Sequence, residues 1–313
     1  MHPTEIMAAT TVQVMAAEGL VVGFGDARAI VEMALGCDPG PLTRAKSVPN
    51  NQVFVGEDVV VKVVHADGHS GLHREIALVP MLPAGITVPL LASGEYKDLR
   101  YACFIRMPGE SPGLHLPNTD AATARKLAEQ AVERLERLHT WQPDSTETLT
   151  EELDHGGFTG REAFQQEIER LERADRDGVV PAHIIKGLKE IAERAPDRAE
   201  ASIPVHGDCD WANWLAQGET VTALLDFEWA RLAEPTEDWF FLIRFSGPHM
   251  AAVLDVVTEH TAIPEDELRD ACEVREASYV TSDVRLRLEG KPNAGVGSIA
   301  DLTELIDGRF WWS

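Results

Sequence analysis

The sequence predicts an α+β chain in two lobes, a small N-terminal antiparallel β-sheet lobe with one main helix and a larger, mainly helical C-terminal lobe. Three observations carry this. Alternating apolar runs crowd the chain before about residue 110, helical periodicity dominates after it, and a Pro/Gly cluster, Met107-Pro108-Gly109-Glu110-Ser111-Pro112-Gly113, stands between. A length of 313 residues suits two compact units or one bilobed one, and the boundary is set after Pro108, giving lobes 1–108 and 109–313.

Met1 to Leu20 contains no Lys or Arg, so it lacks the positive start of a secretory signal and reads as a short helix. The β-branched runs 52–55 and 59–64 flank Gly56-Glu57-Asp58, a hairpin signal, and 87–91 and 101–107 read as further strands. Residues 69–82 show helical spacing, interrupted by Pro80. Beyond the Pro/Gly cluster, 119–140 opens with Asn118-Thr119-Asp120 and places Leu127, Ala128, Ala131, Val132, Leu135 and Leu138 on one face, predicting a long central helix. Further helices are expected over 162–173, 182–194, 248–260, 265–280 and 300–306, with a strand-rich island at 203–227 between them.

With 28 basic and 52 acidic residues the net charge is -24, which repels nucleic acid and anionic membranes. No window is apolar enough for a membrane helix. Cys37, Cys103, Cys209 and Cys272 are far apart and form no metal-ligand spacing, which fits a reducing cytoplasm.

The island holds the chemistry. His206-Gly207-Asp208-Cys209-Asp210-Trp211-Ala212-Asn213 follows the short apolar run 203–205. Phosphoryl transfer to a hydroxyl needs a carboxylate near the attacking oxygen and oxygen ligands for a nucleotide-bound magnesium. Asp208 and Asn213 supply both from one loop, and a hairpin turning at Gln217-Gly218-Glu219-Thr220 would bring Asn213 beside Asp226. In the small lobe, Lys62 shares a strand face with Val60 and Val64, while Glu75 sits at helical spacing with Leu78, Val79 and Leu82. Two charges on otherwise apolar faces are best explained as each other's partner.

The pattern His206-Gly207-Asp208, four residues, Asn213, then Leu224-Leu225-Asp226-Phe227-Glu228 closely resembles the aminoglycoside phosphotransferase and choline kinase family of the protein-kinase-like superfamily. The resemblance implies a protein-kinase-like bilobed fold, Asp208 as catalytic base, Asn213 and Asp226 as magnesium ligands, and His206 as a brace for the loop. Glu234 to Trp239 resembles a further family segment and makes Asp238 a structural acceptor. It also implies that Lys62, held by Glu75, meets the phosphates of ATP or GTP, and that the purine lies against backbone groups of Phe104, Ile105, Arg106 and Met107. No GxGxxG loop is present; Ser47 to Val55 would cover the phosphates instead.

On the acceptor side, 144–177 holds eleven carboxylates against four arginines and 265–276 six against two. As a set they lean toward a cationic small-molecule acceptor. Asp210, Trp211 and Glu237 are the expected acceptor contacts. The function implied is O-phosphorylation of an antibiotic-type acceptor, an aminoglycoside or other cationic antibiotic. The alternatives are a metabolite kinase of choline, homoserine or sugar type, and a non-catalytic nucleotide-binding scaffold.

Overall fold

The apolar runs before residue 110 assemble into one antiparallel sheet of β1 (Thr43–Arg44), β2 (Gln52–Val55), β3 (Val59–His65), β4 (Leu90–Tyr96) and β5 (Leu99–Ile105), in the order β1-β2-β3-β5-β4. This is a computed structural model describing residues 22–45, 52–66, 71–153, 157–291, 295–308 and 310–312. The helix expected within 1–20 and positions 47–51 of the expected phosphate-covering loop lie outside the described residues.

Alternation along β3 sends Val59, Val61 and Val63 to a face covered by α1 (Phe24–Leu35), whose Ala27, Ile30 and Val31 are buried. Lys62 and Val64 therefore turn to the opposite face. Helix α1 has no counterpart among the sequence expectations, since Gly23 and Gly25 sit at its start; Gly36, at φ 69°, ends it. On the other face lies α2 (Leu72–Leu78), two turns followed by a 3-10 turn containing Pro80, so the helix is shorter than the 69–82 expected. The strand expected at 87–91 begins instead at Leu90, and Thr87 bridges to Leu224 of the large lobe.

The large lobe is built on α3 (Ala121–His139), started by Asp120, whose carboxylate accepts the Thr123 N–H at 2.8 Å. This helix is followed by α4 (Glu147–Thr150), α5 (Arg161–Ala174) and α6 (Ala182–Arg194), the last two packed on each other. The island gives β6 (Ile203–Val205) and the hairpin β7 (Trp214–Gln217) with β8 (Thr220–Leu224), and β6 pairs with β9 (Arg231–Ala233). Then follow α7 (Thr236–Arg244), α8 (Met250–Thr261), α9 (Glu265–Leu288) and α10 (Ile299–Ile306). Neither β9 nor α7 is among the sequence expectations, and α9 runs eight residues beyond the 280 expected. No single helix among the described residues is long and apolar enough to cross a membrane.

Two connections join the lobes. In the first, the Arg106 N–H donates to Asp58 O at 2.9 Å on the sheet side, while Thr222 Oγ1 donates to Pro108 O at 2.8 Å. Glu110 and Ala216 exchange a pair of backbone bonds at 2.9 Å, so close that a Cβ on Gly109 would stand 2.5 Å from Ala216 O. Only Met107 lies between the two anchorages. In the second, Leu78 and Ile86 enter the core of the large lobe, and the Leu224 N–H donates to Ile86 O at 2.9 Å.

Candidate active site

Between the lobes the island's polar residues are held by backbone bonds of one local sub-structure. Pairing Trp214 with Leu224 places Asn213 and Asp226 at the open end of the hairpin, where the Leu225 N–H donates to Asn213 O at 2.8 Å. Asn213 Nδ2 donates to Asp208 O at 2.7 Å and lies 3.2 Å from Asp208 Oδ2, which leaves the amide oxygen available to a cation. Gly207 takes φ 76°, and a Cβ there would stand 2.4 Å from Arg231 Nη1 and 2.7 Å from Trp229 O. Only glycine lets the chain turn there.

The loop is pinned from α7. Asp238, fully buried, accepts the N–H groups of His206 at 3.0 Å and Gly207 at 2.8 Å, and pairs with His139 Nε2 at 2.9 Å. Burial pushes the Asp238 carboxyl up, but the bond and charge of His139, with His206 and the Gly207 N–H, outweigh it and hold the group below its usual range. His206 Nε2 lies 2.8 Å from Leu225 O, tying the loop to the hairpin, and burial holds its imidazole neutral by lowering its pKa.

Across the cleft, Lys62 Nζ lies 2.7 Å from Glu75 Oε2, 3.2 Å from Asp226 Oδ1 and 4.0 Å from Glu228 Oε1. Burial presses the Lys62 ammonium down, yet the three carboxylates more than reverse this and raise it. Burial raises the Glu75 carboxyl against the pull of Lys62. Oxygens of Glu75, Asp226 and Glu228 lie within 4.8 Å of one another around that single ammonium. Asp226, itself left-handed at φ 68°, keeps Oδ1 buried without a hydrogen-bond donor. A buried carboxylate oxygen that accepts no hydrogen bond and meets only the Lys62 ammonium, together with a free amide oxygen, is a donor set suited to a hard divalent cation, so the residues fit magnesium.

Asp208 is a strongly perturbed carboxylate of the cleft. Burial first, then the charges of Asp210 and Asp226, raise it well above its ordinary value. Asp210 keeps partial exposure, and its Oδ1 accepts the Ala212 N–H at 2.7 Å.

Several sequence expectations are corrected. Trp211 is wholly buried, with Nε1–H donated to Ser246 Oγ at 2.8 Å and its ring against Trp214, so it is core rather than an acceptor wall. Glu237 is 2% exposed and bound to Arg231, Tyr279 and Arg275, so it too cannot meet an acceptor. Among the expected purine contacts, the Ile105 N–H is engaged by Pro89 O at 3.0 Å and the Arg106 N–H by Asp58 O, leaving their carbonyls; Phe104 is buried, and Met107 is half-buried in an apolar cluster with Leu215 and Leu225. Part of the acidic walls is paired: Glu167 with Arg285, Glu273 and Asp270 with Arg194, and Glu276 with Arg244. Cys209 is a core thiol, donating to Asp238 O at 3.2 Å. Glu228 and Arg231 are site residues absent from the expectations. A glutamate two positions beyond Asp226 was the available signal for the first; β9, unrecognised, hid the second.

A two-lobed cleft of this topology, with Lys62 and Glu75 above and the Asp208 loop below, defines a phosphotransferase of the protein-kinase-like fold. Residues 43–269 match the phosphotransferase enzyme family, and the chain belongs to that family. Among curated proteins none matches the sequence. Among solved structures the fold is similar to aminoglycoside phosphotransferase APH(2'')-Ib with ADP bound, at TM-score 0.61 and 17% identity over 93% of this chain and 99% of that one. It is also similar to the GDP complex of aminoglycoside 2'-phosphotransferase-IIIa, at TM-score 0.64 and 17% identity over 90% and 95%. A type I macrolide 2'-phosphotransferase aligns at TM-score 0.59 and 17% identity over 93% and 98%.

Proposed function

We propose that the chain is a magnesium-dependent O-phosphotransferase that moves the terminal phosphoryl group of ATP or GTP to a hydroxyl of an antibiotic-type acceptor, an aminoglycoside or another cationic antibiotic. The observation that carries this is the convergence of Asp208, Asn213, Asp226, Lys62 and Glu75 on one cleft between lobes meeting near residue 108. The named acceptors of the similar solved structures and the net charge of -24 support the acceptor class.

In this reading Asp208 takes the acceptor's hydroxyl proton while the oxygen bonds to the terminal phosphorus. The bond from that phosphorus to the bridging oxygen breaks, and the nucleoside diphosphate leaves with the electron pair. The raised pKa of Asp208 makes its carboxylate a stronger base than an ordinary one. Magnesium, when bound, neutralises charge developing on the phosphate oxygens; Asn213 and Asp226 are the residues that would hold it. Lys62, fixed by Glu75, binds the phosphates, and Met107, Leu215 and Leu225 give apolar walls to the purine. All four cysteines are free, as suits a cytoplasmic enzyme.

The test is nucleoside diphosphate release with magnesium and ATP or GTP across aminoglycosides, macrolides, amino alcohols and sugars, with mass spectrometry of the acceptor. A phosphorylated antibiotic is the expected result. Phosphorylation of an amino alcohol or sugar alone would replace the acceptor class, and nucleotide binding without transfer to any acceptor would count against the enzyme reading of the site.

A further inference from the structure

Arg74 stands beside Glu75 on α2 but points the other way. It is 2% exposed, and its guanidinium leaves the small lobe altogether. Nη1 donates to Thr148 O of α4 and, at 3.2 Å, to Ala230 O, which lies four residues after Asp226. Nη2 lies 3.4 Å from both the carbonyl and the carboxylate of Glu151. One side chain thus joins three segments: α2, the turn following Asp226, and α4.

A second contact acts in the same direction. Gly71, at the start of α2, is pressed against Glu228 so closely that a Cβ would stand 2.6 Å from Glu228 Cβ and 2.8 Å from its carbonyl oxygen. The helix itself is only seven residues long and ends at a Pro-containing turn. A helix so short has little intrinsic stability, and its position is dictated by what it is fastened to. Burying a guanidinium is unfavourable unless its donors are matched; both Nη groups find acceptors on the large lobe while Nε has none, so it is the Nη pair that holds α2 there.

We infer that Arg74 is a positioning residue that docks α2 on the large lobe, so that Glu75 holds Lys62 beside Asp226 in the geometry that receives the nucleotide phosphates. Arg74 touches neither nucleotide nor acceptor; it acts through Glu75. Its removal therefore has the same consequence as loss of Glu75, and the two losses do not add.

The test is a double-mutant cycle of Arg74→Met and Glu75→Gln, read on the affinity for ATP with magnesium and on kcat where an acceptor is in hand. Each single variant is expected to weaken ATP binding about tenfold, with the double variant no weaker than the worse single. Arg74→Lys, which keeps the charge but not the planar fork, is expected to restore little. Should Arg74→Met fail to fold, Gly71→Ala takes its place in the cycle with the same expected non-additivity. Multiplying penalties, or wild-type affinity in Arg74→Met or Gly71→Ala, would overturn the inference. It rests on the proposed phosphotransferase reading only for its kcat arm: a wild-type protein that binds ATP and transfers nothing defeats that reading and leaves the binding cycle intact, whereas one that binds no nucleotide defeats both.

Discussion

The Lys62 ammonium stands 3.2 Å from Asp226 Oδ1, linking the central strand of the small lobe to the turn two residues beyond β8 in the large one. Glu75 shares the same ammonium at 2.7 Å, so one cation balances buried carboxylates from two lobes. Replacing Lys62 with Met leaves Glu75 buried against Asp226 without compensation. Loss of one partner of a buried ion pair is expected to lower stability by about 3 kcal/mol or more. Burial and Asp226 both push the Glu75 carboxyl up, so the variant recovers stability as pH falls and Glu75 takes up a proton. Chemical denaturation at neutral and mildly acidic pH measures this.

Asp208 carries a strongly raised pKa and is proposed to act as a base, so activity should fall as pH drops through that value. Asp210 is the first charge raising it after burial. Asp210→Asn is therefore expected to move the acidic limb of the kcat/KM profile to lower pH. Asp208→Asn should lose activity by a factor of about 10² to 10⁴ with nucleotide binding retained. A pH profile of each variant decides both, and an unmoved limb in Asp210→Asn would break the link.

Gly207 needs φ 76° and has Arg231 and Trp229 where a side chain would go. Gly207→Ala is expected to lower stability by at least about 1–2 kcal/mol through backbone strain alone. Displacement of the Asp208 loop should lower kcat with little change in nucleotide affinity. Thermal unfolding and steady-state kinetics test the two halves separately.

Trp211→Phe removes the Nε1–H bond to Ser246 and part of a wholly buried ring. A loss of about 1–3 kcal/mol in stability is expected. The KM for acceptor should stay at the wild-type value, since the ring does not reach the cleft. A large rise in that KM in a stable variant would restore the acceptor role.

The loop anchorage should make the fold acid-sensitive in two stages. His206 titrates below 6.5 when folded, so the unfolded chain takes the proton first and stability declines as pH drops through 6.5. Asp238 is depressed below 3.8, so its contribution is complete above 3.8 and disappears as pH falls through the lower folded value. Asp238→Asn should abolish the second stage and keep the first, as read by unfolding midpoints across pH.

What is legible in the sequence is whatever local geometry decides. Asp208, Asn213 and Asp226 lie within one short hairpin-bearing segment, so strand pairing brings Asn213 to Asp226 and the short loop keeps Asp208 within reach of Asn213. Lys62 and Glu75 follow from period-2 and period-3.6 spacing. Burial of Trp211 is a different matter: it depends on Ser246 at the end of α7, thirty-five residues away. The pairing of the acidic helices is out of reach for the same reason, because Glu167 finds Arg285 and Glu276 finds Arg244 only once the helices pack. In α7 the near-continuous apolar run Trp239 to Ile243 blurs the helical period, and it is the burial of both faces that explains it.

Helix α2 touches both lobes at once: Arg74 fastens it to Ala230 and Glu151, while Leu72 packs with Val64, Ala102 and Phe104 of the sheet. Seven residues thus serve as a keystone, and the span between Lys62 and Glu75 is set by how the two halves of the arch lean on it.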